Sequence, residues 1–186
     1  KSHGVICVSF HDTQHVATLE IDFPDTRKLF HIIQVVKAMF DLNTSSTRID
    51  DALKQNQTLS PLVENNPGVR VPGSCNGFEL GIRAIVGQQI SVKGAGTIIG
   101  RLAKKYGMKL NCENKFNLKF TFPDPDVLAN ASLDNIGLTN TRIDTIHRFS
   151  RAVHNKDIVF NPWSDPDDFK KSLVKLKGIG DWTAQY

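Results

Sequence analysis

Between Leu173 and Ala184 the chain reads Leu-Val-Lys-Leu-Lys-Gly-Ile-Gly-Asp-Trp-Thr-Ala, and this stretch constrains the fold more tightly than any other. Asp165-Pro166 pairs an N-cap with a proline at the first helical position, so a helix begins there. That helix must end at Gly178 and Gly180, which permit positive φ and remove side chains from a tight turn. A second helix then starts near Asp181. Ile179, alone between the glycines, is predicted to point back into the core and pin the turn. The result is a helical hairpin whose exposed N–H groups lie beside a helix N-terminus, which suits a phosphate oxygen. Lys170, Lys171, Lys175 and Lys177 surround the turn with no acid between them, adding charge attraction. A Gly-x-Gly alone would equally serve as a plain connection between two core helices; the apolar spacing, the lysines and Thr183-Ala184 favour phosphate binding.

Upstream, the signals are helical from about Ser60. Pro61, Pro67, Gly68, Pro72 and Gly73 mark a loop-rich connection. Asn76 with Glu79 resembles a capping box, and behind it Phe78, Ile82, Ile85 and Val86 share one helix face. Ser91 caps a helix running to Tyr106, with Gly107 as its stop. Asp124-Pro125 opens another, and Thr139–Val153 reads as a further helix. The opening of the chain differs. Val5–Phe10 and Val16–Phe23 read as strands, joined by a turn at His11–Gln14, and a helix follows from about Asp25 to Leu42. Two strands and one helix make a poor independent sheet, so part of this small α+β domain is expected to be missing upstream.

A length of 186 residues suits one compact domain or two small ones, and 40% apolar content supports a sizeable core. No stretch is long enough to span a bilayer, and the N-terminus lacks the layout of a signal peptide. Cys7, Cys75 and Cys112 match no metal or redox spacing, so a reducing, cytoplasmic setting is expected. The six histidines show no paired ligand spacing, so no transition metal is expected. The net charge of +4 is carried entirely by the second half, which points to a polyanionic partner.

Three blocks together resemble a known family. Gly178-Ile179-Gly180-Asp181-Trp182-Thr183-Ala184 resembles the hairpin of helix-hairpin-helix DNA glycosylases. Val69-Arg70-Val71-Pro72-Gly73 and the run from Phe78 to Ser91 resemble the 3-methyladenine DNA glycosylase II branch. The resemblance covers about residues 4–186. It implies a mainly α fold: a helix-hairpin-helix glycosylase helical domain at 46–186, truncated within the hairpin motif. Part of a small α+β domain, like half of the TATA-binding fold, precedes it at 1–45. Such glycosylases sometimes follow an alkyl-transfer and regulator module in one polypeptide.

The implied activity is base-excision repair: hydrolysis of the N-glycosidic bond of alkylated purines such as 3-methyladenine in double-stranded DNA. The damaged base must be flipped out of the stack. That chemistry requires a grip on phosphates, a wedge, an aromatic pocket for a cationic base, and a carboxylate near the sugar. Gly178, Gly180, Lys175 and Lys177 are the expected grip. The resemblance places the wedge at Gln89, whose amide can also hydrogen-bond base edges; taken alone, Gln89 is a solvent-facing polar residue at a helix end. Trp182 and Tyr186, four residues apart, share a helix face and are the implied base pocket; by spacing alone they would equally be a core pair. Relatives that also cut the backbone carry a lysine where this chain has Trp182, so the resemblance implies simple hydrolysis by a monofunctional enzyme. The family's catalytic aspartate is expected beyond Tyr186, so no catalytic residue is assigned within the chain, and residues 1–186 alone are expected to be inactive. Asp165, Asp167, Asp168 and Asp181 read as caps and first-turn acids. No cofactor is expected beyond a monovalent cation held by hairpin carbonyls. The competing reading is a non-catalytic helix-hairpin-helix DNA-binding module of a larger alkylation-response protein.

Overall fold

The computed structural model describes residues 3–11, 16–110 and 114–186. By packing, the chain falls into two compact units, 1–24 together with 76–186, and 25–75. This grouping cuts the chain at other places than residue 45.

The first unit opens on two antiparallel strands, β1 (Val5–His11) and β2 (Val16–Asp22), with Val5 opposite Asp22 and Cys7 opposite Glu20. Side chains alternate across a strand, so this register gathers Ile6, Val8 and Phe10 with Ala17, Leu19 and Ile21 on one face. Glu20, on the other face, accepts a 2.8 Å hydrogen bond from Lys115, which holds that ammonium above the ordinary lysine range. Beyond His11, the expected turn lies outside the described residues, as does Cys112.

In the second unit the single helix expected over 25–42 is shorter. A 3-10 turn, Thr26–Lys28, precedes α1 (Leu29–Met39), and Asp25 caps that turn through the Arg27 N–H at 3.1 Å. α2 (Ser46–Leu53) is an addition to the expected elements, because its apolar stripe of Ile49, Ala52 and Leu53 is only about one turn long, and α3 (Ser60–Asn65) starts at the Ser60-Pro61 pair. Arg70 donates to the carbonyls of Asp41 and Thr44, and the Gly73 N–H donates to the Met39 carbonyl at 2.8 Å. These bonds tie the Pro/Gly-rich segment back onto the end of α1.

The remainder of the first unit is helical, as expected. α4 spans Gly77–Gly87, α5 Val92–Tyr106, α6 Pro125–Asn130, α7 Asn140–His154, α8 Pro166–Val174 and α9 Asp181–Ala184. Asn76 accepts from the N–H groups of Phe78 and Glu79, Ser91 from Gly94, and Asp165 from Asp167 and Asp168. The Glu79 carboxylate, however, turns to Arg83 one helical turn on, at 2.6 and 2.9 Å, instead of reaching back as a capping box would. Between α5 and α6 the chain adds a short antiparallel bridge at Lys109 and Phe120.

α4 and α7 form the centre of the core. Phe78 of α4 stacks on Phe149 of α7 at 5.6 Å between ring centroids. Ile82, Ile85 and Val86 are fully buried beside Leu102, Leu128, Leu133 and Ile146. Leu173 and Ile179 join the same cluster, so the hairpin is anchored to the core both through α8 and through its turn.

Candidate functional site

The turn from Lys175 to Gly180 joins α8 to α9, and its two glycines do different work. Gly178 has φ +99, and a β-carbon there would lie 2.0 Å from the Thr145 hydroxyl oxygen on α7. Only glycine fits, for conformational and steric reasons together. Gly180 departs from expectation: it is extended, at φ −89 and ψ 174, and a β-carbon there would meet nothing within 4 Å. Ile179 between them is buried, as its position predicts, and its N–H donates to the Leu176 carbonyl at 3.0 Å. Among the described residues, the N–H groups of Gly178 and Gly180 make no hydrogen bond. Two open donors thus flank one inward side chain.

The charge around the turn is sparser than the lysine count implies. Lys170 is paired with Asp181 at 2.9 Å, bracing α8 against α9, and Lys171 is paired with Asp168 at 2.8 Å. Asp181 therefore faces a lysine of the hairpin. Lys175 and Lys177 form no ion pair among the described residues and are the two uncompensated cations of the turn.

Trp182 and Tyr186 are each 67% exposed, with ring centroids 5.9 Å apart. They are not a core pair. Their rings form one wall of a cleft of about 440 Å³, whose other walls come from Ala84 and Gly87 of α4 and from Ile90, Val92, Ala95 and Ile99 on and before α5. Arg83, held by Glu79, sits at its edge. No carboxylate lines this cleft among the described residues.

Gln89 stands in the bend between α4 and α5, exposed and with φ +54. A glutamine in the left-handed region carries a backbone strain of about 1 kcal/mol or more. The neighbouring Gln88, to which the sequence assigns no role, connects three elements. Its side-chain nitrogen donates to the Gly178 carbonyl at 3.1 Å and to the Thr183 hydroxyl at 3.0 Å, and its main-chain carbonyl accepts from Arg142 of α7 at 2.6 Å. The sequence carries no signal for Arg142 or Thr145, whose roles depend on α7 passing beneath the hairpin. No group of three His, Cys, Asp or Glu among the described residues is arranged to hold a metal ion. No helix of the described residues is long and apolar enough to cross a membrane.

Comparison with known proteins places this geometry. The 3-methyladenine DNA-glycosylase from Archaeoglobus fulgidus superposes over 99% of this chain and 65% of its own, with a TM-score of 0.77 and 18% identity. The family described as the AlkA N-terminal domain matches residues 1–76. DNA-3-methyladenine glycosylase 2 of Escherichia coli (strain K12) is 32% identical over 151 residues, covering 80% of this chain and 50% of its own length. The probable bifunctional transcriptional activator/DNA repair enzyme AlkA of Mycobacterium tuberculosis (strain CDC 1551 / Oshkosh) is 29% identical over 171 residues, covering 92% and 34%. These matches give the chain the fold of the helix-hairpin-helix DNA glycosylases and a sequence similarity to the 3-methyladenine DNA glycosylase II branch. The chain spans between about a third and a half of the length of these curated relatives.

Proposed function

We infer that the chain supplies the DNA grip and one wall of the base pocket of a monofunctional glycosylase, which hydrolyses the N-glycosidic bond of alkylated purines such as 3-methyladenine in duplex DNA. The observation that carries this reading is the exposed Trp182–Tyr186 pair on a cleft beside the hairpin. Leaving two large aromatic rings in water forgoes burial of roughly 1.5–3 kcal/mol per side chain. A flipped, electron-poor base recovers that cost by stacking, and a positive charge on the base strengthens the contact. A pure DNA-binding module needs no such wall.

In this reading the N–H groups of Gly178 and Gly180, with Lys175 and Lys177, hold phosphate oxygens. Gln89, at the bend, fills the space vacated by the flipped nucleotide. Trp182 stands where a Schiff-base lysine would be needed for strand cleavage, so water is the nucleophile. No carboxylate of the described residues is assigned to catalysis; Asp181 is committed to Lys170. Residues 1–45 form part of the small α+β domain and 46–186 the glycosylase domain. A monovalent cation at the hairpin belongs to the same proposal. The carbonyls of Leu176 and Gly178 each accept one hydrogen bond and keep a second lone pair for a hard ion. Such an ion would fix the turn's shape. A cytoplasmic setting completes the assignment.

The test is Trp182→Ala in the complete protein. Release of methylated purines should fall about tenfold or more, while affinity for undamaged duplex changes little. Equal losses of both would return Trp182 to a structural role. Borohydride trapping of a covalent DNA adduct would contradict the monofunctional assignment.

A further inference from the structure

Gln88 is more completely restrained than a solvent-side glutamine at a helix end has reason to be. Both N–H groups of its amide are used, one on the Gly178 carbonyl at 3.1 Å and one on the Thr183 hydroxyl at 3.0 Å. Its main-chain carbonyl takes a charge-assisted bond from Arg142 at 2.6 Å. Arg142 lies three residues before Thr145, and Thr145 is the residue against which Gly178 closes. One face of α7 therefore seats both the hairpin and the end of α4. The next residue after Gln88 is Gln89, whose left-handed backbone leaves little freedom to absorb a displacement.

We propose that Gln88 is a positioning residue that couples the phosphate grip of the hairpin to the wedge at Gln89. The inference rests on the DNA-binding reading above. A shift of the turn when Gly180 meets a phosphate moves the Gly178 carbonyl and the Thr183 hydroxyl. Gln88 is bonded to both, and Arg142 holds its backbone against the core, so the shift reaches Gln89 instead of dissipating in a flexible side chain. Grip and wedge then engage together.

The coupling is measurable. Affinity for a duplex carrying a central tetrahydrofuran abasic site is determined for the complete protein, Gln89→Ala, Gly180→Ala and the double variant. Through Gln88 the two losses should be non-additive by at least about threefold in Kd. The same cycle in a Gln88→Glu background should become additive. That change keeps the side-chain shape but sets a carboxylate against a carbonyl. Thr183→Val, which removes one acceptor at little cost in volume, should weaken the coupling, and Thr183→Ser should retain it. A thermal midpoint for each variant verifies folding, and Thr183→Val carries the test if Gln88→Glu fails to fold. Coupling that survives both disruptive variants, or that is missing from the parent cycle, overturns the proposal. Absence of any DNA binding by the parent protein would instead remove the reading on which it rests.

Discussion

The body built on α4 and α7 and the hairpin at its edge are packed very differently. In the body, apolar side chains are buried to a few per cent, rings stack, and the buried Thr145 hydroxyl is returned to the Thr141 carbonyl at 2.9 Å. At the hairpin and the bend beside it, two aromatic rings stand in solvent and a glutamine sits at positive φ, and among the described residues two lysines go unpaired and two N–H groups stay open. The unpaired lysines and open N–H groups do nothing for the folded chain, the rings are left two-thirds exposed, and the left-handed glutamine opposes folding. The contrast teaches where to look for function: what the fold does not need for itself is what it holds ready for a partner. The two glycines divide along the same line. Gly178 faces inward and is required by Thr145; Gly180 faces outward and is required by nothing within the described residues.

Substitutions on either side test that division. Phe149→Ala removes a ring that is 1% exposed and stacked on Phe78, and should cost about 3–5 kcal/mol by urea unfolding. A loss below about 1 kcal/mol would mean that the body is not the stabilising half. Gly178→Ala, which meets both a positive φ and the Thr145 hydroxyl, should cost about 1–3 kcal/mol in the same measurement. Gly180→Ala provides the opposite case. Stability should stay within about 0.5 kcal/mol of the parent, while duplex affinity falls roughly tenfold because the methyl group stands in the approach of a phosphate. If Gly180→Ala unfolds the protein, the outward assignment of that residue is wrong. The smallest effect belongs to the lysines. Replacing Lys175 and then Lys177 by alanine should lower the slope of log affinity against log salt by about 0.9 for each phosphate left without its cation. Lys171→Ala should leave the slope nearly unchanged, since its charge is already met by Asp168.

Local rules written into the chain determined its elements. Asn76, Ser91 and Asp165 name helix starts because a short polar side chain satisfies N–H groups that the first turn leaves open. The alternation in Val16–Asp22 names a strand, the spacing of Phe78, Ile82, Ile85 and Val86 names the buried face of α4, and Gly178-Ile179-Gly180 names a turn pinned by its central residue. The residues from 46 to 53 name their helix only faintly, since Ile49, Ala52 and Leu53 give a single turn of apolar period, too short to stand out from a loop. Residue chemistry, with the family resemblance, singled out Trp182, Tyr186 and Gln89. Other features depended on groups distant in sequence or on rivals nearby. That Gly180 is extended, that Lys170 is consumed by Asp181, and that Glu79 serves Arg83 instead of its own helix start are outcomes of competition between neighbours. The union of Gln88, Arg142 and Thr145 beneath the hairpin could be decided only in three dimensions. Gln88 and Arg142 stand 54 positions apart, and a hydrogen bond has no periodicity by which such partners announce each other along the chain.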